Sequence, residues 1–255
     1  AGVAGVAGVA GVAIWLASEL SHAEQAVQSS GHAALDAELP GGGWPAGGLI
    51  ELLSSQPGLS ECALLAPFWQ QTAQAVQPLM LITPQSWPWQ PYAPGLAHWG
   101  VAPQRLLWVC AATEADAAWS AEQALRSRGV GSVLWITRHA QASTLRRLQW
   151  AAREAGITLF AARERACADH PSPAVLRLLL QPVSAEQMSV HILKRQGPAH
   201  ERPLLLSAHS PGLHLRPAPR ALQPAAEPAA EAPIPAVAAS PRASVYSPGA
   251  VHHAL

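Results

Sequence analysis

The chain has 255 residues, of which 49% are apolar and 13% charged, and its formal net charge is zero. That suffices for one α/β domain with a sizeable core and appendages, and it excludes a strongly basic or strongly acidic protein. Three widely separated cysteines (Cys62, Cys110, Cys167) argue against a disulfide framework or a zinc site, and fit a reducing cytoplasm.

Residues 1–13 read AGVAGVAGVAGVA, a low-complexity repeat that contributes nothing to a fold. The segment 14–30 is expected to be helical, with Trp15, Leu16 and Leu20 at helical spacing. A core domain is expected over 31–210. Its first strand is Leu49–Leu53, followed by a helix over 63–77 whose apolar side is Leu64, Leu65, Phe68 and Trp69. PLMLITP (78–84), RLLWVCA (105–111) and GSVLWIT (131–137) are continuous apolar runs, the pattern of buried parallel strands. Helices over 115–128 and 144–155 fit between and after them, and a glycine stop at Gly156 leads into a strand over 156–162.

This alternation predicts a mostly parallel sheet covered by helices on both faces. Two strands, 174–183 and 188–197, read as a C-terminal hairpin that 204–209 extends. The Pro/Ala-rich segment 211–255 buries too little apolar surface to offset its ordering entropy, and disorder is expected there. No run reaches the roughly 20 consecutive apolar residues of a membrane span. The start of the chain lacks the basic residues of a secretory leader.

Charge is unevenly spread. Residues 1–104 hold six acids (Glu19, Glu24, Asp36, Glu38, Glu51, Glu61) and no Lys or Arg; all sixteen basic residues follow from Arg105 onward. Such asymmetry marks either a polar binding surface or solvated arginine-rich helix faces.

The stretch LPGGGWPAGGLIELLSSQPGLSECALLAP has the layout of a phosphate-binding loop: a glycine-rich turn, a strand, a loop, then a helix. The chemistry is missing. The degenerate loop holds Ser54, Gly58, Ser60 and Glu61, with Ser60 where the lysine of GxxxxGK[ST] belongs and Glu61 where the magnesium-binding hydroxyl belongs. A carboxylate about 4 Å from a phosphate charge costs about 4 kcal/mol at intermediate dielectric, so a triphosphate is disfavoured. No catalytic residue, cofactor or metal is expected.

GHAALDAELPGGGWPAGGLIELL resembles the opening of the RecA-like ATPase core, and more closely the ImuA proteins of bacterial SOS mutagenesis operons, relatives of the SulA division inhibitors. The similarity runs through LMLITPQSWPWQPYAPGLAHWGV, AAWSAEQALRSRGVGSVLWI, RRLQWAAREAGITLFAAR and the LLLQPV…VHILKRQGP hairpin. The resemblance implies a RecA-like core in which the catalytic-glutamate position is Gln85, the magnesium-associated aspartate position is Ile136 and the γ-phosphate sensor position is Arg163.

The resemblance also implies a non-catalytic accessory protein of error-prone translesion synthesis. Its partners would be an ImuB-like Y-family polymerase homologue, RecA and an error-prone replicative-type polymerase, with any DNA contact indirect. A SulA-type division inhibitor and an ATP-dependent recombinase-like enzyme are the alternatives.

Candidate partner-binding residues fall in three places. Trp87, Trp89 and Tyr92 lie on the proline-stiffened loop PQSWPWQPY, at a strand's carboxyl end where open α/β sheets bind ligands. Arg146 and Arg147 lie on RRLQWAAR, with Arg153 and Trp150, where a solvated helix face competes with phosphate binding. Lys194 and Arg195 end the strand VHILKR. Trp44, in the turn before the first strand, is expected to pack over that junction.

Overall fold

The computed structural model describes residues 27–58, 60–72, 77–88, 90–98, 101–184, 186–198 and 202–208. The repeat, residues 14–26 of the expected helical segment, Trp89 and the segment 211–255 lie outside the described residues. Residues 27–28 do not belong to a helix. They form β1 (Val27–Gln28), which pairs antiparallel with β2 (Trp44–Pro45). Between them lies a single helical turn, α1 (Ala33–Asp36).

Among the described residues the main sheet has eight strands: β3 (Leu49–Ser54), β4 (Leu79–Pro84), β5 (Leu106–Ala111), β6 (Ser132–Ile136), β7 (Thr158–Glu164), β8 (Leu176–Pro182), β9 (Gln187–Lys194) and β10 (Leu204–Ser207). Their spatial order is β10-β9-β8-β3-β7-β6-β4-β5. Strands β3 to β8 run parallel to their neighbours in that group, and β9 and β10 add antiparallel at one end. This is a mostly parallel α/β sheet consistent with a RecA-like core, with the expected C-terminal hairpin and its extension.

Each face of the sheet buries its own core. On one face Ile50, Leu52, Leu134, Phe160 and Leu178 pack with Leu64, Leu65 and Phe68 of α2 (Ser60–Gln71) and with Leu35 and Leu39. The short helix α3 (Ala93–His98) adds Leu96 to this side. On the other face Leu49, Val133, Trp135 and Leu159 pack against α4 (Glu114–Ser127) and α5 (Ala142–Ala155). Consecutive strand residues thus feed opposite cores, which is why the strands read as unbroken apolar runs.

Local signals set the helix ends. Thr113 Oγ1 accepts the Asp116 N–H at 3.1 Å and caps α4. Gly156 closes α5 in the left-handed region at φ +71°. Helix α2 starts at Ser60, three residues earlier than the sequence predicts, and Glu61 in its first turn accepts the Gly58 N–H.

Strand β5 departs from the expectation of a buried strand. Among the described residues it is the outermost strand and pairs with β4 alone, with Leu107 and Trp108 exposed at 45% and 39%. An apolar run does not distinguish an edge strand from a central one.

Trp44 is fully buried and meets Phe160 edge-on, with ring centroids 5.4 Å apart at 81°. That is the packing role the sequence predicts. No helix among the described residues is long and apolar enough to cross a membrane.

Candidate functional site: a filled phosphate loop

Strand β3 ends at Ser54, and the chain turns through Gly58 (φ +109°) into α2. In a working phosphate loop the N–H groups here would face an anion. Instead they face Glu61. Its carboxylate is fully buried; Oε1 accepts Ser54 Oγ at 2.7 Å and Oε2 accepts the Gly58 N–H at 2.7 Å. The reach back from the first helical turn to an upstream N–H is the geometry of a capping box.

Burial pushes the Glu61 carboxyl above the ordinary glutamate value, and the bonds from Ser54, its own N–H and Gly58 oppose that rise without cancelling it. Next to it, burial and then the Glu61 charge push the Cys62 thiol up to about 12, so Cys62 is a neutral apolar group. Ser60 is buried.

The other positions implied by the resemblance follow suit. Gln85 is exposed just beyond β4, with its backbone N–H donating to Ala111 O at 2.7 Å. Ile136 presents a buried apolar side chain at the end of β6. Arg163 is buried inside the fold: its Nη1 donates to Glu51 Oε1 at 2.6 Å, while Arg177 Nε donates to Glu51 Oε2 at 2.6 Å. Arg177 continues to the carbonyls of Cys167 and Ala168, and Arg163 to that of Ala140. This triad crosses three adjacent strands, β7, β3 and β8, and belongs to the sheet rather than to a phosphate site.

The loop after β4 does not present its aromatics uniformly. Trp87 is buried, with its backbone N–H on Pro84 O at 2.9 Å and the Arg138 guanidinium 4.9 Å from its ring centroid. Tyr92 is 71% exposed. Trp87 and Tyr92 line a cavity of about 420 Å³, together with Gly58, Leu81, Thr83 and Ile136 among others. The structure therefore brings the degenerate loop and the aromatic loop together around one apolar space.

The other candidate residues lie elsewhere. Arg147 pairs with Glu122 at 2.7 Å, and Glu122 also takes Arg126 at 2.7 Å, so this group ties α5 to α4. Arg146 is exposed and bonds the Ala142 carbonyl at 3.2 Å, near the exposed Trp150 of the same helix. Lys194 Nζ donates to Ser172 O at 3.0 Å, and Arg195 bonds the backbone and side chain of Glu38. Strand β9 stands five places from β4 in the sheet, roughly 24 Å at the usual strand spacing.

Sequence reasoning missed the Glu51 triad, the cavity and the role of Glu61 as the loop's own ligand. The last had a signal: a glycine followed three residues later by glutamate at a helix start.

Fold and loop together define an α/β core of RecA-like arrangement whose phosphate loop is closed by its own carboxylate. The chain matches no protein-family model and no curated protein.

Proposed function

We propose that the chain is a non-catalytic, RecA-like accessory protein of damage-induced, error-prone translesion synthesis. It acts in the cytoplasm through contacts with a Y-family-like polymerase homologue, with RecA and with the error-prone polymerase they serve. The observation that carries the non-catalytic part is Glu61, whose carboxylate takes the N–H of Gly58 and the hydroxyl of Ser54 that an incoming phosphate would need. The positions matching a catalytic glutamate and a magnesium-associated aspartate are Gln85 and Ile136, and neither supplies a carboxylate. The resemblance of GHAALDAELPGGGWPAGGLIELL to ImuA supports the pathway.

The test is affinity capture of the tagged full chain from its own cells after DNA damage, read by mass spectrometry, beside an ATPase assay of the purified protein. Recovery of RecA and a Y-family-like protein, with no ATP turnover, is expected. Recovery of the tubulin-like division protein instead, or ATP turnover that scales with the protein, overturns the proposal.

A further inference from the structure

Helices α4 and α5 lie side by side over one face of the sheet and turn a shared outer surface to solvent. Glu122 of α4 meets Arg147 of α5 at 2.7 Å, and Arg128, just past α4, donates to Glu154 O at 3.2 Å. The helices therefore run parallel, with position 122 beside 147 and 128 beside 154. Trp119 stands one turn before Glu122, and Trp150 one turn after Arg147; they are 60% and 70% exposed. With about 1.5 Å of rise per residue and about 8–10 Å between packed helices, their backbones lie roughly 13 Å apart on a diagonal across the seam. One exposed apolar side chain is ordinary, but two tryptophans on one seam form a patch.

Arginines surround that patch. Arg146, Arg147 and Arg153 stand four and three residues before Trp150 and three after it, the positions that neighbour it on a helix surface. Arg146 bonds only the Ala142 carbonyl of its own helix, and Arg153 pairs with no acid among the described residues. Arg147 and Arg126 share the single carboxylate of Glu122, so one of their two charges stays uncompensated. The exposed acids here are Asp116, which takes the Thr113 hydroxyl at 2.8 Å, and Glu154. Positive charge remains in excess around the two rings.

We propose that this face binds single-stranded nucleic acid, with unpaired bases stacked on Trp150 and Trp119 and phosphates held by the arginines around and between them. An indole face stacks on any base, and a guanidinium fork matches a phosphate. A duplex hides its base faces, and two helices lying flush on a sheet leave no element projecting into a groove. An acidic peptide would answer the charge and leave both indoles in water. The contact is direct and does not depend on the protein partners proposed above, since it rests on this face alone.

The test uses the purified full chain and fluorescence anisotropy of a labelled oligothymidylate, with an oligouridylate and a mixed-sequence duplex of the same length beside it. Saturable binding of a single strand is expected at about 50 mM salt, at least about fivefold tighter than the duplex. The tighter of the two single strands identifies the sugar that the face prefers. Trp150→Ala and Trp119→Ala should each weaken binding at least about fivefold, and Trp150→Phe should restore most of the loss. Arg146→Gln with Arg153→Gln should lower the slope of log K against log salt by about 1.4, the share of two phosphates. Arg202→Gln removes the same kind of charge ahead of β10, at the far end of the sheet, and should change nothing. No saturable single-strand binding, a duplex bound as tightly, or displacement of the strand by an equal charge of polyglutamate would overturn the proposal. So would a Trp150→Ala variant that binds undiminished, or a loss on Arg202→Gln equal to that of the α5 arginines.

Discussion

Glu61 Oε2 accepts the Gly58 N–H at 2.7 Å, which closes the loop that the sequence lays out for an anion. Burial raises the carboxyl's pKa, because leaving water costs the charged form more than the neutral acid. Glu61→Gln keeps the shape and an acceptor without the charge, and is expected to stay within about 1 kcal/mol of wild type at neutral pH. Glu61→Ala strands the Ser54 hydroxyl and the Gly58 N–H and should cost about 2–3 kcal/mol in urea unfolding. An acid whose pKa is higher folded than unfolded contributes fully below the unfolded value, near 4.5, and loses that contribution as pH rises through the folded value. Wild type should therefore lose stability relative to Glu61→Gln as pH rises from about 4.5 toward neutrality. A constant difference across that window would show that Glu61 is not the titrating group.

A filled loop predicts silence toward nucleotides. A ligand at a hundred times its Kd stabilises a folded protein by about 2.7 kcal/mol, which a domain of this size registers as several degrees in Tm. Millimolar ATP with magnesium is expected to leave the Tm of the full chain unmoved. A saturating, concentration-dependent rise would mean that the loop opens and that Glu61 gives way.

The Glu51 carboxylate lies between Arg163 and Arg177, each at 2.6 Å, with all three side chains buried. Glu51→Ala leaves two guanidinium groups buried without their counter-charge and should cost about 3–5 kcal/mol. Replacing all three with well-packed apolar side chains should recover most of that loss, because the desolvation of the charges vanishes with them. Equilibrium unfolding of the single and triple variants separates these outcomes. A triple variant no better than Glu51→Ala would show that the triad holds the register of β7, β3 and β8 by more than charge balance.

The same triad marks where the sequence stops being legible. Apolar runs and the stop at Gly156 reveal the parallel strands and α5, since those signals are local. Glu51 meets partners 112 and 126 residues away, and only the strand order brings them side by side. The segregation of acids before residue 105 and arginines after it has a structural use here. Glu51 of the first part meets Arg163 and Arg177 of the second inside the fold, and Glu38 meets Arg195 nearer the surface, which accounts for part of a pattern that otherwise suggests a binding surface. Helix α3, written APGLAH, carries a proline and a glycine and reads as loop; it forms where Leu96 finds the core. The cavity draws residues from the ends of three strands and two connections, so no single stretch announces it.

Two glycines in the left-handed region separate conformational strain from steric crowding. At Gly156 (φ +71°) an added Cβ meets nothing within 4 Å among the described residues, so Gly156→Ala pays only for the backbone, about 1–2 kcal/mol. At Gly31 (φ +82°) the same Cβ would stand 2.4 Å from Pro67 Cβ, inside α2, and 3.1 Å from the Pro67 carbonyl carbon. Neither neighbour is the free end of a flexible chain, so the segment between β1 and α1 must shift. Gly31→Ala should add an overpacking cost of about 1–3 kcal/mol to the strain that Gly156→Ala carries alone. Chemical denaturation of the two variants side by side gives the comparison. Equal losses would mean that the chain at Gly31 moves off α2 without cost, and that the contact between this segment and Pro67 does not hold it in place.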